Sequence, residues 1–183
     1  SLHTMVRATV EAGGNLHQLV RNLNNYLCSY LPEHSFVTMV IVIVNTSTGE
    51  LEIVNAGHPP PFAIGAKGHL RELQSEENVA LGMIDAEFEV QRSMLIGDEV
   101  VLLYTDGLTE LTDENQEALG VERLGSGLSR IVRDEPRGNV DLYRERVSQL
   151  LDGFRGSQLA ADDSTYLIAR RPRLKGGGDA YTH

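Results

Sequence analysis

The sequence predicts an α+β fold in which an antiparallel β-sandwich is flanked by helices. Three observations carry this. Helix-periodic segments open the chain and return in its last third. Between them, short apolar runs are joined by tight turns with no helix intervening. One further apolar run follows the last helical pattern. At 183 residues the chain is expected to form one domain, on a usual scale of about 150 residues per domain. A hydrophobic fraction of 41% with 5% aromatics and no Trp describes a Val/Leu/Ile core.

Leu2, Met5, Val6 and Val10 have helical spacing without an N-cap or a preceding turn, so the chain is expected to start inside a helix, as an N-terminally truncated domain. Gly13, Gly14 and Asn15 end this helix and cap the next. Leu16, Leu19, Val20, Leu23, Leu27, Tyr30 and Leu31 form an apolar stripe closed by Pro32, and Cys28 is placed on its core side. Residues 36–44 read as a strand buried on both faces. Asn45 to Gly49 turn the chain, and residues 50–56 return as a hairpin partner. A corner at Gly57-His58-Pro59-Pro60-Pro61 leads to a short strand at 62–64. A turn at 65–68 follows, then a strand at 69–73, a polar loop at 74–78, and strands at 88–95 and 99–105. Beyond an acidic loop at 109–117, Val121, Leu124, Leu128, Ile131 and Val132 make one helical face. Val140, Tyr143, Val147, Leu150, Leu151 and Phe154 make another. A last strand covers 164–169. The domain is expected to span residues 1–171, with residues 172–183 a flexible tail in a stretch, 170–183, that is basic and then Gly-rich.

Composition excludes several classes. A formal charge of -10 argues against a nucleic-acid partner, which requires clustered Lys and Arg. The single cysteine excludes an internal disulfide and a Cys-rich zinc site. No apolar run approaches the roughly 20 residues of a membrane span, and no leader is visible, so no membrane association and a cytoplasmic location are expected. Asp113 to Glu117 alternates acids like a calcium loop, but Ala118 stands where the sharp turn needs glycine. Gly125-Ser126-Gly127 lies within a helical pattern with no strand before it, unlike a dinucleotide loop.

Two places carry chemistry. The apolar run at 100–105 ends in Asp106, followed at once by Gly107, whose missing Cβ permits close approach. A second acidic pair, Asp162-Asp163, opens the last strand. Two strand-end carboxylates are a donor set suited to Mg²⁺ or Mn²⁺, with Asp163 either a ligand or an outer acceptor. The alternative is that both are solvated turns. At Asn55-Ala56-Gly57-His58, a histidine held in a Gly- and Pro-flanked corner either faces a reaction or only ties down backbone groups.

Taken together, these residues resemble a known family. Phe36-Val37-Thr38, the segment from Asn55 to Pro60, Leu81-Gly82, Gly97-Asp98, the segment from Tyr104 to Glu110, the set Glu117, Gly120, Arg123 and Leu124, and Asp162-Asp163 with Thr165 occur in the order found in the SpoIIE/RsbU-type PPM (PP2C-like) phosphatases. The resemblance implies α-β-β-α layers with a binuclear Mn²⁺ or Mg²⁺ centre at one end. Asp106 and Asp162 would be metal ligands, and Asn55, His58 and Gly107 would lie near the site. The ions would acidify a water for attack on a phosphoserine or phosphothreonine without a phosphoenzyme. The family also implies a phosphoprotein substrate of the anti-sigma-factor-antagonist type and coupling to a sensor or receiver domain. Its first motif, Gly-Asp-x-Ser-Gly-His-Gly, is not in this sequence. The chain is therefore expected to be a fragment of an enzyme, or else a docking module built on the same fold.

Overall fold

The structure, a computed structural model, describes residues 2–73, 78–157 and 163–171. Its strands are β1 (Met39–Val44), β2 (Glu50–Ala56), β3 (Phe62–Ile64), β4 (Leu70–Glu72), β5 (Gln91–Met94), β6 (Val100–Tyr104) and β7 (Tyr166–Arg170). Its helices are α1 (Leu2–Glu11), α2 (Leu16–Tyr30), α3 (Asp106–Thr109), α4 (Gly120–Asp134) and α5 (Val140–Arg155). Every strand pair is antiparallel, in two sheets of order β1-β2-β5 and β4-β3-β6-β7.

Three apolar layers join these parts. On one outer face α2 places Leu16, Leu19, Val20, Leu23 and Leu27 against Val54, Ala56, Leu81 and Phe88. Between the sheets lie Leu51, Ile53, Ala63, Leu73, Leu95 and Val101. On the other outer face Phe62, Leu102, Tyr104 and Leu108 meet Leu124, Leu128 and Val132 of α4 with Tyr143 and Val147 of α5. The predicted α-β-β-α layering is therefore the observed one. It also explains why 100–104 is an unbroken apolar run. Successive side chains of β6 alternate between the sandwich interior and the helical layer, and both are dry. Each fully buried aliphatic side chain contributes roughly 1.5–3 kcal/mol, so the layers hold the sheet ends rigidly.

Local chemistry sets the boundaries. Asn15 caps α2 with a reciprocal box, its Oδ1 accepting from Gln18 N at 2.9 Å. At Gly127 of α4 a Cβ would lie 2.5 Å from Leu150 Cδ2, so a larger residue there would require the Leu150 side chain of α5 to shift.

Several expectations are corrected. The 36–44 segment is not buried on both faces. Among the described residues β1 pairs only with β2, five of its six residues are half-buried and Ile43 is exposed, and Phe36 lies outside the strand at 55% exposure. On α2, Cys28 is exposed rather than core, and Tyr30 is 73% exposed, its ring in tilted contact with that of Tyr26. The α2 stripe rotates so that Asn24 takes the buried position, where it donates to Ile84 O at 3.0 Å and accepts from Gly82 N at 2.8 Å. Strand 88–95 shortens to β5, because Phe88 turns into the α2 layer and Leu95 into the layer between the sheets. Val121 and Val140 are exposed at the starts of their helices. Arg170 belongs to β7, not to a tail, and reaches Gly138 O and Pro136 O. Most of the expected polar loop, residues 74–77, and the expected tail, 172–183, lie outside the described residues.

Candidate active site

The β6–β7 ladder ends at the pair Tyr104↔Tyr166, so the chain leaving β6 and the chain entering β7 lie side by side at one end of the sandwich. Asp106 follows β6 by two residues, and Asp163 precedes β7 by three. The two acidic segments are bonded directly. Thr105 N donates to Thr165 O at 3.0 Å, Thr165 N donates to Thr105 Oγ1 at 3.1 Å, and Ser164 Oγ donates to Gly107 O at 2.9 Å. The glycine after Asp106 is required by this approach, because a Cβ at Gly107 would stand 2.6 Å from Asp163 O. Asp162 lies outside the described residues, whereas its neighbour Asp163 does not.

Where the sequence predicts a strand running to Thr105, the strand ends at Tyr104 and the chain makes the single-turn helix α3, starting at Asp106 itself. Asp106 Oδ1 accepts from Gly107 N at 3.0 Å, and Thr109 Oγ1 donates to Asp106 O at 2.9 Å. These local bonds leave the exposed Asp106 carboxylate at the first turn of α3, where helix N–H groups favour negative charge.

The predicted corner arrives at the same end, because β2 closes at Ala56 and β3 begins at Phe62 opposite Leu102. Asn55 is buried and grips His58 at both backbone groups, accepting from His58 N at 2.7 Å and donating to His58 O at 2.6 Å. The imidazole Nδ1 meets Thr38 Oγ1 at 3.3 Å, and the ring also bonds the Tyr104 carbonyl. Burial lowers the His58 pKa, and the Asp106 charge and Tyr104 carbonyl only partly oppose it, so the ring is neutral near neutral pH. His58 thus ties β1, the corner and the end of β6 together, within electrostatic reach of Asp106. The histidine secures backbone, and it does so within electrostatic reach of Asp106.

Among the described residues no group of three or more His, Cys, Asp or Glu is placed to hold a metal ion. The described donors are the carboxylates of Asp106 and Asp163 on adjacent loops. Hard oxygen donors of this kind suit Mg²⁺ or Mn²⁺, which commonly take one or two carboxylates and complete their shells with water. Asp113, in contrast, is used up locally. Its Oδ1 accepts from Asn115 N at 2.8 Å and Glu117 N at 2.9 Å, and the Glu117 bond leads the causes that hold its carboxyl below the usual range. This acid closes a turn.

Residue reading overlooked Ser164, and it gave Thr38, Thr105 and Thr165 no role beyond their place in motifs. A Ser or Thr flanking each acid is the available signal, since such side chains bond nearby backbone.

The layered fold and the paired strand-end acids define a PP2C-type domain. The chain belongs to the Stage II sporulation protein E (SpoIIE) family, whose model matches residues 1–172. It is 28% identical to Protein IcfG of Synechocystis sp. over 137 residues, covering 67% of this chain and 21% of that protein. It is 24% identical to phosphoserine phosphatase RsbU of Bacillus subtilis over 162 residues, covering 88% of this chain and 47% of that protein. It matches the SiaA-PP2C domain of Pseudomonas aeruginosa with a TM-score of 0.75 at 20% identity, covering 92% of this chain and 67% of that one. The chain thus spans less than half the length of these two curated relatives. No helix among the described residues is long and apolar enough to cross a membrane.

Proposed function

We propose that this chain, over residues 1–171, is a metal-dependent protein phosphatase domain acting on phosphoserine or phosphothreonine of a signalling protein. The observation that carries this reading is the direct bonding of the Asp106 and Asp163 segments at one end of the sandwich. Asp106, Asp162 and Asp163 would supply the carboxylates, and a bound Mn²⁺ or Mg²⁺ pair would supply an acidified water and charge neutralisation at the phosphoryl oxygens. This chain's own residues have the positioning tasks. Thr105 and Ser164 hold the two loops together, Asn55 and His58 brace the end of β6, and Gly107 allows the loops to touch. Relatedness to RsbU, a phosphoserine phosphatase, supports the reaction class. An anti-sigma-factor antagonist is the proposed type of substrate. The domain would act as the output module of a larger cytoplasmic regulator carrying a sensor or receiver domain.

The test is hydrolysis of an aryl phosphate and of a phosphoserine peptide by the full-length protein, with and without Mn²⁺. Asp106→Asn is expected to lower the Mn²⁺-dependent rate by more than ~100-fold, beyond the 10–100-fold typical of outer-shell changes. An unchanged rate in that variant removes the ligand role. Failure of the unmodified protein to bind Mn²⁺ replaces the enzyme with a docking module on the same fold.

A further inference from the structure

We propose that Ser164 is a positioning residue that sets the separation of the two acid-bearing loops, and through it the affinity for a divalent cation. This rests on the phosphatase reading above. Ser164 directly follows Asp163, and Gly107 directly follows Asp106, so the 2.9 Å bond from Ser164 Oγ to Gly107 O joins the residues next to each acid. The acceptor is a carbonyl left over by the fold. α3 stops after one turn, at Thr109, so no later turn of helix uses Gly107 O. Ser164 takes the place of the helical N–H.

The spacing is fixed from both directions. The Ser164 bond draws the loops together, and the Asp163 carbonyl against the bare Cα of Gly107 stops them, as the 2.6 Å clearance for an added Cβ records. Thr105 continues the ladder one step past Tyr104↔Tyr166, accepting at its Oγ1 from Thr165 N at 3.1 Å. Thr105 therefore aligns the strands, and Ser164 spans from the β7 side to the α3 turn. A hydroxyl is required. Without it the Gly107 carbonyl loses its partner, and the two acid-bearing loops are no longer held at this spacing. A cation must then draw them together out of its own binding free energy.

The experiment measures Mn²⁺ binding to the full-length protein by titration with detection of free Mn²⁺ by electron paramagnetic resonance. The variants are Ser164→Ala and Ser164→Thr, and thermal unfolding without metal is followed in parallel. Ser164→Ala is expected to raise the Mn²⁺ dissociation constant ~10-fold, the lower end of what supporting residues contribute. Its melting temperature without metal is expected to fall by no more than about 2–4 °C, the effect of one lost hydrogen bond. Ser164→Thr keeps the hydroxyl and is expected to restore the parent affinity. Parent-like affinity in Ser164→Ala overturns the proposal while leaving the phosphatase reading intact. So does failure of Ser164→Thr to restore affinity while its unfolding is unaltered. If the unmodified protein binds no Mn²⁺, the phosphatase reading falls and this proposal falls with it.

Discussion

The two ends of β6 handle charge in opposite ways. At its start, Glu99 is almost wholly buried and paired. Arg71 donates to both of its oxygens, at 3.0 and 2.8 Å, and Ile96 N donates to Oε2 at 2.8 Å. The same guanidinium continues to Met94 O and Ser93 Oγ, so one arginine of β4 fastens the β5–β6 turn across the two sheets. Pairing with Glu99 raises the Arg71 pKa, which keeps the cation fixed. Arg170 closes this end further, 3.5 Å from Asp98 and bonded to the Pro136 and Gly138 carbonyls. At the other end Asp106 is exposed and has no Arg or Lys ion-pair partner among the described residues. Among the described residues, Gly107 N donates to it and the neutral His58 lies within its field. One end is neutralised from within. The other holds its acid-bearing loops in place by neutral hydrogen bonds and leaves the Asp106 carboxylate exposed.

This contrast gives a double comparison with the largest expected effects. At the closed end, Arg71→Ala leaves a buried carboxylate unpaired and should cost about 3–5 kcal/mol of unfolding free energy. Glu99→Ala should cost less, because the Arg71 side chain is 33% exposed and can hydrate where Glu99, at 6%, cannot. At the open end, Asp106→Asn should change stability by no more than about 0.5 kcal/mol while abolishing Mn²⁺-dependent turnover. Urea unfolding of the three variants checks the ranking. A large stability loss in Asp106→Asn would make it a structural acid like Glu99 and erase the contrast. Next in size is Gly107→Ala, whose methyl must push Asp163 away. We expect about 1–3 kcal/mol of destabilisation from overpacking, together with weakened Mn²⁺ binding. Parent-like binding there would mean that loop spacing does not matter.

How much of this was legible in the sequence follows from contact range. α2, the 39–56 hairpin and β6 depend on periodicity and turn residues a few positions apart, and they emerged close to prediction. The convergence of Asp106 with the last strand was also readable, since antiparallel neighbours put one strand's exit beside the other's start. What was missed depends on distant partners. Asn24 is buried because Gly82 and Ile84 return to α2 from 58 and 60 residues away, and that rotation of the stripe leaves Cys28 and Tyr30 in solvent. The 36–44 segment reads as buried on both faces because its residues are β-branched, a pattern shared by this edge strand, which is only half-buried. Arg71–Glu99 spans 28 residues, and neither residue stands out locally. α3 escaped because Asp106-Gly107 is also turn chemistry, and a single turn is too short to show a period.

The smallest predicted effect tests whether the last residue of β6 serves the core or the site. Tyr104 is buried and stacked on Phe62 with ring centroids 5.2 Å apart, and its hydroxyl has no hydrogen-bond partner among the described residues. Burial first, and then the Glu72 charge, push its pKa up to about 12 from an ordinary 10. The neutral phenol is thus favoured by folding, and that contribution is complete below pH 10 and lost as pH rises from 10 through about 12. Tyr104→Phe keeps the ring and removes the unpaired polar atom. It should raise stability at neutral pH by about 1 kcal/mol and flatten the decline between pH 10 and 12. Since His58 bonds the Tyr104 backbone carbonyl and not its side chain, Mn²⁺ binding should be unaffected. A loss of Mn²⁺ affinity in Tyr104→Phe would instead show that the buried phenol reaches the site through the β6 backbone, and that the core and the acid-bearing end are coupled.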